Sequence, residues 1–216
     1  MSASGKYQEV NFTSQYGYKT NEVYVYSNIA TALAAYALEV KSQQPFTLLA
    51  QNYIFTPLSM LNSHWGVGKT AGNVATRFVY STDDEQLFAM PDYGAITYPD
   101  GSAISTANDL AIYLIASMNG GKVDGQQRLS KDAVEDMLSP QTDVPVPSRD
   151  IGYFWELDGN WIHHDGSDPG VMSQMIGDIE TKNGVILLSN GDDNHEPHSE
   201  AFVMIQQLAL QLANSK

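Results

Sequence analysis

The sequence predicts an α+β protein: a helical region followed by a C-terminal antiparallel sheet that a terminal helix covers. Three observations carry this expectation. Apolar residues recur at helical spacing in segments up to Pro140, the period shortens to that of strands from Ile151, and an amphipathic run closes the chain at 199–213. Because the strand-like segments are separated by hairpin turn signals, the sheet is expected to be antiparallel. The expected organisation is an extended, tag-like lead at 1–25, a helical region with long loops at 26–149, and the sheet with its helix at 150–216, packed as one domain.

Composition narrows the function. With 216 residues, 43% of them hydrophobic, the chain can bury a sizeable core. Lys and Arg number 11 against 25 Asp and Glu, and the net charge of −14 argues against nucleic acid or an anionic membrane surface as partner. The absence of cysteine excludes disulfides, zinc–thiolate sites and a cysteine nucleophile. No apolar run approaches the ~20 residues of a membrane-spanning helix. Met1 to Lys6 lack the apolar core of a signal peptide.

Taken in order, Val23 to Tyr26 alternate into Ser27-Asn28, either of which can cap a helix whose Ile29, Leu33, Tyr36, Ala37 and Val40 fall on one side. Pro45 suits the first turn of a second helix with Phe46, Leu49, Tyr53 and Ile54 on one face, stopped at Thr56-Pro57. Residues 57–104 read as a long loop, of a length that is either functional or carries short elements. Thr106 and Asp109 stand at capping-box spacing before the apolar body Leu110 to Met118, and Asn119-Gly120-Gly121 ends that helix. A short helix from Ser130 buries Val134, Met137 and Leu138, and Asp143 to Arg149 form a connector. Strands are expected over Ile151–Leu157 and Trp161–His164, joined at Asp158-Gly159, and over Val171–Ile179 and Val185–Leu188, joined around Lys182-Asn183-Gly184. In the closing helix Phe202, Ile205, Leu208, Ala209 and Leu212 share one side, which would cover a sheet face.

Chemistry concentrates in His163-His164-Asp165-Gly166-Ser167-Asp168-Pro169-Gly170. Imidazoles, a hydroxyl and glycines here read as a strand end feeding a tight turn that exposes main-chain N–H groups. Taken alone, the plainer assignments are a strand-end histidine and turn glycines, with Tyr26 a residue before a capped helix and Asn28 an N-cap.

Four motifs in order give these residues a second meaning. Tyr26-Ser27-Asn28, Pro57-Leu58-Ser59-Met60, Gly101-Ser102-Ala103-Ile104-Ser105-Thr106-Ala107-Asn108-Asp109-Leu110 and His164-Asp165-Gly166-Ser167-Asp168-Pro169-Gly170 resemble motifs of the serine β-lactamase and penicillin-binding-protein-like family, of the class C β-lactamase, D-peptidase and esterase type. The matching order is Tyr-x-Asn, Pro-Leu-Gly-Met with Ser59 in place of glycine, the Gly-Gly-Leu-x-Ser-Thr-Ala-x-Asp-Leu helix entry, and the His-Thr-Gly variant of Lys-Thr-Gly. The resemblance covers the C-terminal two-thirds of that family and implies an incomplete β-lactamase-like fold. It implies that Tyr26, with Asn28 beside it, relays protons, that His164 supplies the basic side chain of the fourth motif, and that Asp165, Gly166 and Ser167 bind substrate, the Ser167 N–H forming half of an oxyanion hole. A phenol titrates near ~10 and needs an adjacent cation to act as a base.

The family's nucleophilic Ser-x-x-Lys has no counterpart, because no lysine here has a serine three residues before it. The expected function is therefore that of a β-lactamase-related serine hydrolase, transferring acyl groups of ester, amide or β-lactam substrates through a serine ester. It lacks the nucleophile segment, is inactive alone, and is not labelled by penicillin or fluorophosphonate probes. Its partner would be a small acyl substrate once that segment is supplied; no cofactor is implied, and the resemblance implies a periplasmic or secreted location. Asp165, where the family has a hydroxyl, would repel a substrate carboxylate. The alternative is a non-catalytic binding or interaction module on the same scaffold. A third reading, a metal site, would use His163, His164, His195 and His198, but Pro197 obstructs helical pairing of the last two, and no metal is expected. Finally, the continuous apolar run Val185 to Leu188 reads as a doubly covered strand that here becomes a sheet edge with an uncovered face, inviting a homodimer or a companion chain.

Overall fold

The structure, a computed structural model, describes residues 24–66, 74–141, 150–193, 196–213 and 215. The lead up to residue 23, the connector at 143–149 and His195 lie outside the described residues.

Helix α1 (Asn28–Ser42) begins where the Ala30 N–H donates to Ser27 Oγ at 3.2 Å, so Ser27 rather than Asn28 is the cap. Its rotation differs from expectation. Ile29, Leu33 and Val40 are more than half exposed, while Ala35 is buried. The reason is an anchor that apolar periodicity cannot show: Glu39, on the Ala35 side, accepts the Phe46 N–H at 2.6 Å and the Tyr98 hydroxyl at 2.8 Å. Helix α2 (Phe46–Ala50) follows Pro45 and widens into a π turn over Gln51–Phe55, where the Thr56 N–H reaches the Gln51 carbonyl at 2.9 Å. The widened turn leads into Phe55, Leu58 and Met60, all buried in one core cluster with Ala50 and Ala116.

The long loop carries short elements of its own. Strand β1 (His64–Trp65), the hairpin β2 (Phe78–Ser81) and β3 (Gln86–Ala89), a 3-10 turn at Tyr98–Asp100, and β4 (Ala103–Ile104), which pairs with β1, all lie within it. Helix α3 (Ala107–Met118) is capped by Thr106, whose hydroxyl accepts the Asp109 N–H at 3.2 Å. The buried Asp109 carboxylate accepts from Asn62 N–H and Ser63 Oγ, each at 2.8 Å, binding the second motif's loop to the third motif's helix. A small hairpin, β5 (Lys122–Val123) with β6 (Gln126–Gln127), and α4 (Lys131–Met137), capped by Ser130, complete the helical region.

The C-terminal sheet is antiparallel, with order β11 (Gly184–Ser189), β10 (Val171–Asp178), β9 (Trp161–Asp168), β8 (Glu156–Asp158) and β7 (Asp150–Ile151). Two strands differ from the sequence reading. The one expected over 151–157 breaks into β7 and β8, with Phe154 at φ 61°, and the one expected to end at His164 runs on to Asp168. Gly166 and Ser167 therefore lie in the ladder opposite Ser173 and Met172, not in a turn. Gly166 suits the pairing because a Cβ there would run into the Ser173 hydroxyl. The turn itself is Pro169-Gly170, with Gly170 at φ 76°.

Pleating sorts side chains by face. Ile162 and Met175 pack with Leu114 and Met118 of α3, so His164, opposite Met175, stands on the α3 face, while His163 and Asp165 stand on the other. Helix α5 (Glu196–Ala213) packs against β11 on that second face. The edge expected at β11 is present among the described residues, but the expected uncovered face is not, because α3 contacts β11 as well as α5. Helix α5 is also turned from expectation: Ile205, Leu208 and Leu212 are more than half exposed, while Phe202 and Ala209 face inward. His198, on the same side as Phe202 and Ala209, fixes that rotation by bonding Ser189 Oγ at 2.8 Å and the Asp192 carbonyl at 2.7 Å. Among the described residues no helix is long and apolar enough to cross a membrane.

Candidate functional site

The first and fourth motifs meet. Tyr26, held at the mouth of α1 by the Ser27 cap, lies with its ring centroid 6.2 Å from that of His164, the planes tilted by 51°. The third motif closes the same corner: Gly101 leaves room for Asp168, whose Oδ2 would sit 2.8 Å from a Cβ at that position. Asn28 is exposed in the first turn of α1, next in sequence to the cap.

Strand β9 is bounded unevenly. Strand β8 pairs only with Trp161 to His163, so from His164 to Asp168 the side away from β10 carries no strand among the described residues. An open stretch of strand backbone beside a phenol and an imidazole can take an extended ligand by main-chain hydrogen bonding. Of the other residues assigned by the resemblance, Gly166 and Ser167 lie on this stretch, while Asp165 stands with Gln174 on the opposite face, its Oδ1 accepting from Gln174 Nε2 at 2.8 Å. His163 is also on that face, its Nδ1 3.6 Å from Glu156 Oε2.

The electrostatics favour a neutral phenol. Partial burial, then the charges of Asp100, Asp168 and Glu156, push the Tyr26 hydroxyl above its ordinary titration range. Burial, followed by the charge of Asp100, also raises Asp168, with Arg77 opposing. Arg77 is itself engaged, 3.0 Å from Asp92 and stacked 4.3 Å over the Tyr93 ring. The Tyr93 hydroxyl donates to the Pro169 carbonyl at 3.0 Å, while the Gly170 N–H donates to the buried Asp192 at 3.3 Å, so the turn after Asp168 is clamped from two sides. Sequence reasoning missed Asp100 and Asp168 as neighbours of the phenol; the only signal was that Asp100 immediately precedes the third motif and Asp168 lies in the fourth.

No group of three or more His, Cys, Asp or Glu among the described residues has the arrangement to hold a metal ion. The corner brings together a phenol, an imidazole and an open stretch of strand backbone. The family profile described as Beta-lactamase matches residues 10–210. The chain belongs to the Beta-lactamase family.

Solved structures share its fold. A penicillin-binding protein homologue from Pyrococcus abyssi, described as octameric, superposes with a TM-score of 0.71 at 23% identity, over 88% of this chain and 44% of that one. A D-amino acid amidase from Ochrobactrum anthropi SV3, complexed with L-phenylalanine amide, gives 0.70 at 19%, over 89% and 60%. The D-alanine carboxypeptidase AmpC from Burkholderia cenocepacia gives 0.66 at 19%, over 84% and 60%. The Beta-lactamase family chain described here thus spans about half the length of the solved structures it resembles. None of the curated proteins matches it. Tyr26 and His164, the residues that the sequence resemblance likens to the Tyr-x-Asn and His-Thr-Gly positions, lie close together at the corner between α1 and β9.

Proposed function

We propose that the corner between α1 and β9 is the acyl-substrate site of a serine-hydrolase scaffold of the Beta-lactamase family. The observation that carries this reading is the approach of Tyr26 to His164 at 6.2 Å beside the open stretch of β9. In this reading Tyr26 donates a proton to a leaving group, His164 orients it, and the Ser167 N–H supports the carbonyl oxygen of an ester or amide. The nucleophile comes from outside the 216 residues, since they hold no Ser-x-x-Lys. The substrate is neutral or carries an amine, because Asp100 and Asp168 oppose a carboxylate near the phenol.

The electrostatics also favour a second reading, a binding module on the same scaffold: a phenol held neutral by partial burial and neighbouring carboxylates can donate a hydrogen bond but is a poor base. Titration calorimetry with D-phenylalanine amide and benzylpenicillin tests the site common to both. We expect the amide to bind more tightly than the penicillin and to lose at least about tenfold in affinity, roughly 1.4 kcal/mol, in Tyr26→Phe and in His164→Ala. Amide binding that neither substitution alters would remove this corner as the site. Fluorescent penicillin is expected to leave no covalent adduct, and an adduct at a serine facing Tyr26 would reverse the placing of the nucleophile outside the chain.

A further inference from the structure

A serine–histidine pair stands on the face of the sheet opposite to Tyr26 and His164. Ser189, the last residue of β11, lies opposite Met172 and therefore on the face of Asp165 and α5, away from Tyr26. Its Oγ is 2.8 Å from His198 Nε2, and His198 Nδ1 is 2.7 Å from the Asp192 carbonyl oxygen. A carbonyl can only accept, so Nδ1 carries the ring proton. In the neutral imidazole Nε2 then has its lone pair free, and the Ser189 hydroxyl donates to it. This is the tautomer a general base needs, with nucleophile, base and orienting group in sequence. Here a main-chain carbonyl does the orienting.

The surroundings are built for this contact. A Cβ at Gly191 would lie 2.7 Å from His198 Cε1, so glycine is what lets the imidazole lie across the chain. Asp192, which presents the carbonyl, is buried, and its carboxylate is fixed by the Gly170 N–H. The Gly191 N–H donates to Ser189 Oγ at 3.3 Å and so helps fix the hydroxyl oxygen beside the imidazole. Ser189 and His198 open on a cavity of about 400 Å³ walled by Phe78, Tyr80, Leu87 and Pro197, within the size range of small-molecule pockets. Among the described residues its lining holds no lysine or arginine to draw an anionic acyl group.

We infer that Ser189 and His198 form a second acyl-transfer centre, taking small neutral carboxylic esters with an apolar acyl group. Ser189 Oγ adds to the carbonyl carbon as its proton passes to His198 Nε2. Collapse breaks the ester C–O bond, and the leaving alkoxide takes that proton as an alcohol. Water then adds to the acyl-serine, giving its proton to Nε2, and release of the carboxylic acid returns the proton to Ser189. This inference is independent of the Tyr26 site and replaces the expectation, drawn from lysine spacing alone, that fluorophosphonates leave the chain unlabelled.

The test uses the chain as it stands, treated with a small alkyl fluorophosphonate and mapped by peptide mass spectrometry, with p-nitrophenyl acetate hydrolysis followed in parallel. Expected is an adduct on Ser189, absent in Ser189→Ala, with labelling and hydrolysis reduced at least tenfold in His198→Gln. A folded chain that stays unmodified at Ser189, reacts at another serine instead, or reacts equally well in His198→Gln overturns the inference. If His198→Gln loses its circular dichroism, the wild type and Ser189→Ala decide the matter alone, because a serine serving only to tether α5 would not react.

Discussion

The Tyr26 and His164 rings stand 6.2 Å apart, one at the mouth of the first helix and the other on the middle strand of the C-terminal sheet. Three carboxylates, Asp100, Asp168 and Glu156, act on that phenol in addition to its partial burial, and all raise it. Following phenolate absorbance against pH, with Tyr26→Phe as the subtracted reference, should assign Tyr26 a midpoint above the ordinary value near ~10. Asp168→Asn should bring it down. A midpoint below the ordinary value would mean that a cation reaches the phenol, and with it a base.

Ser59 occupies the glycine position of the second motif with φ 58°, in the left-handed region. An L-residue there costs about 1–2 kcal/mol, while glycine gives back about 0.5–1 kcal/mol through its freer unfolded chain. Ser59→Gly is therefore expected to stabilise the fold by about 0.5–1 kcal/mol in urea unfolding, with an unchanged slope. A destabilised variant would show that the serine hydroxyl holds something that this conformation serves.

Acid should weaken the β10–β11 turn once the pH is low enough to protonate Asp178. The Glu180 N–H donates to Asp178 Oδ1 at 2.8 Å and the Thr181 N–H at 3.2 Å, and these bonds, the Glu180 one foremost, hold the carboxyl below its ordinary range. A folded value below the unfolded one means a contribution fully present above the unfolded value of about 3.9 and lost as pH falls through the lower folded value. Asp178→Asn should flatten the acid limb of a stability-against-pH curve. An unchanged limb would assign acid sensitivity to other carboxylates.

Local signals made the element starts legible in the sequence: Ser27, Thr106 and Ser130 each cap the helix they precede, and Gly159 and Asn183-Gly184 sit at hairpin turns. What the sequence could not show is rotation. The apolar periods of α1 and α5 point one way, yet Ile29, Leu33 and Val40 of α1 and Ile205, Leu208 and Leu212 of α5 face outward, where directed polar bonds from Glu39 and His198 hold each helix in place. Likewise the motifs gave Tyr26 and His164, while Asp100 and Asp168 became neighbours of the phenol only through folding. Ser189 and His198 were invisible to a search for serine three residues before lysine, since their pairing needs α5 to lie across the end of β11.

Those outward stripes lead to the last prediction. Ile29, Leu33, Tyr36 and Val40 on α1 and Met204, Ile205, Leu208 and Leu212 on α5 are exposed, and β11 has no strand beyond it among the described residues. Burying a Leu or Ile fully contributes about 1.5–3 kcal/mol. Association costs about 4–15 kcal/mol in lost freedom, so one stripe of four side chains barely offsets it, whereas both together, or one stripe with an added strand at β11, exceed it. The chain on its own is therefore expected to self-associate as concentration rises, either by copies pairing at β11 or by apolar stripes meeting. Light scattering across a dilution series should show the mass rising above that of a 23.7 kDa monomer. Placing charge in one stripe, as in Ile205→Glu with Leu208→Glu, should return it to monomer without changing its circular dichroism, since neither side chain is buried. A wild-type chain that remains monomeric throughout the series would show that the negative net charge of 14 units keeps copies apart despite the exposed apolar surface, and high salt should then restore association.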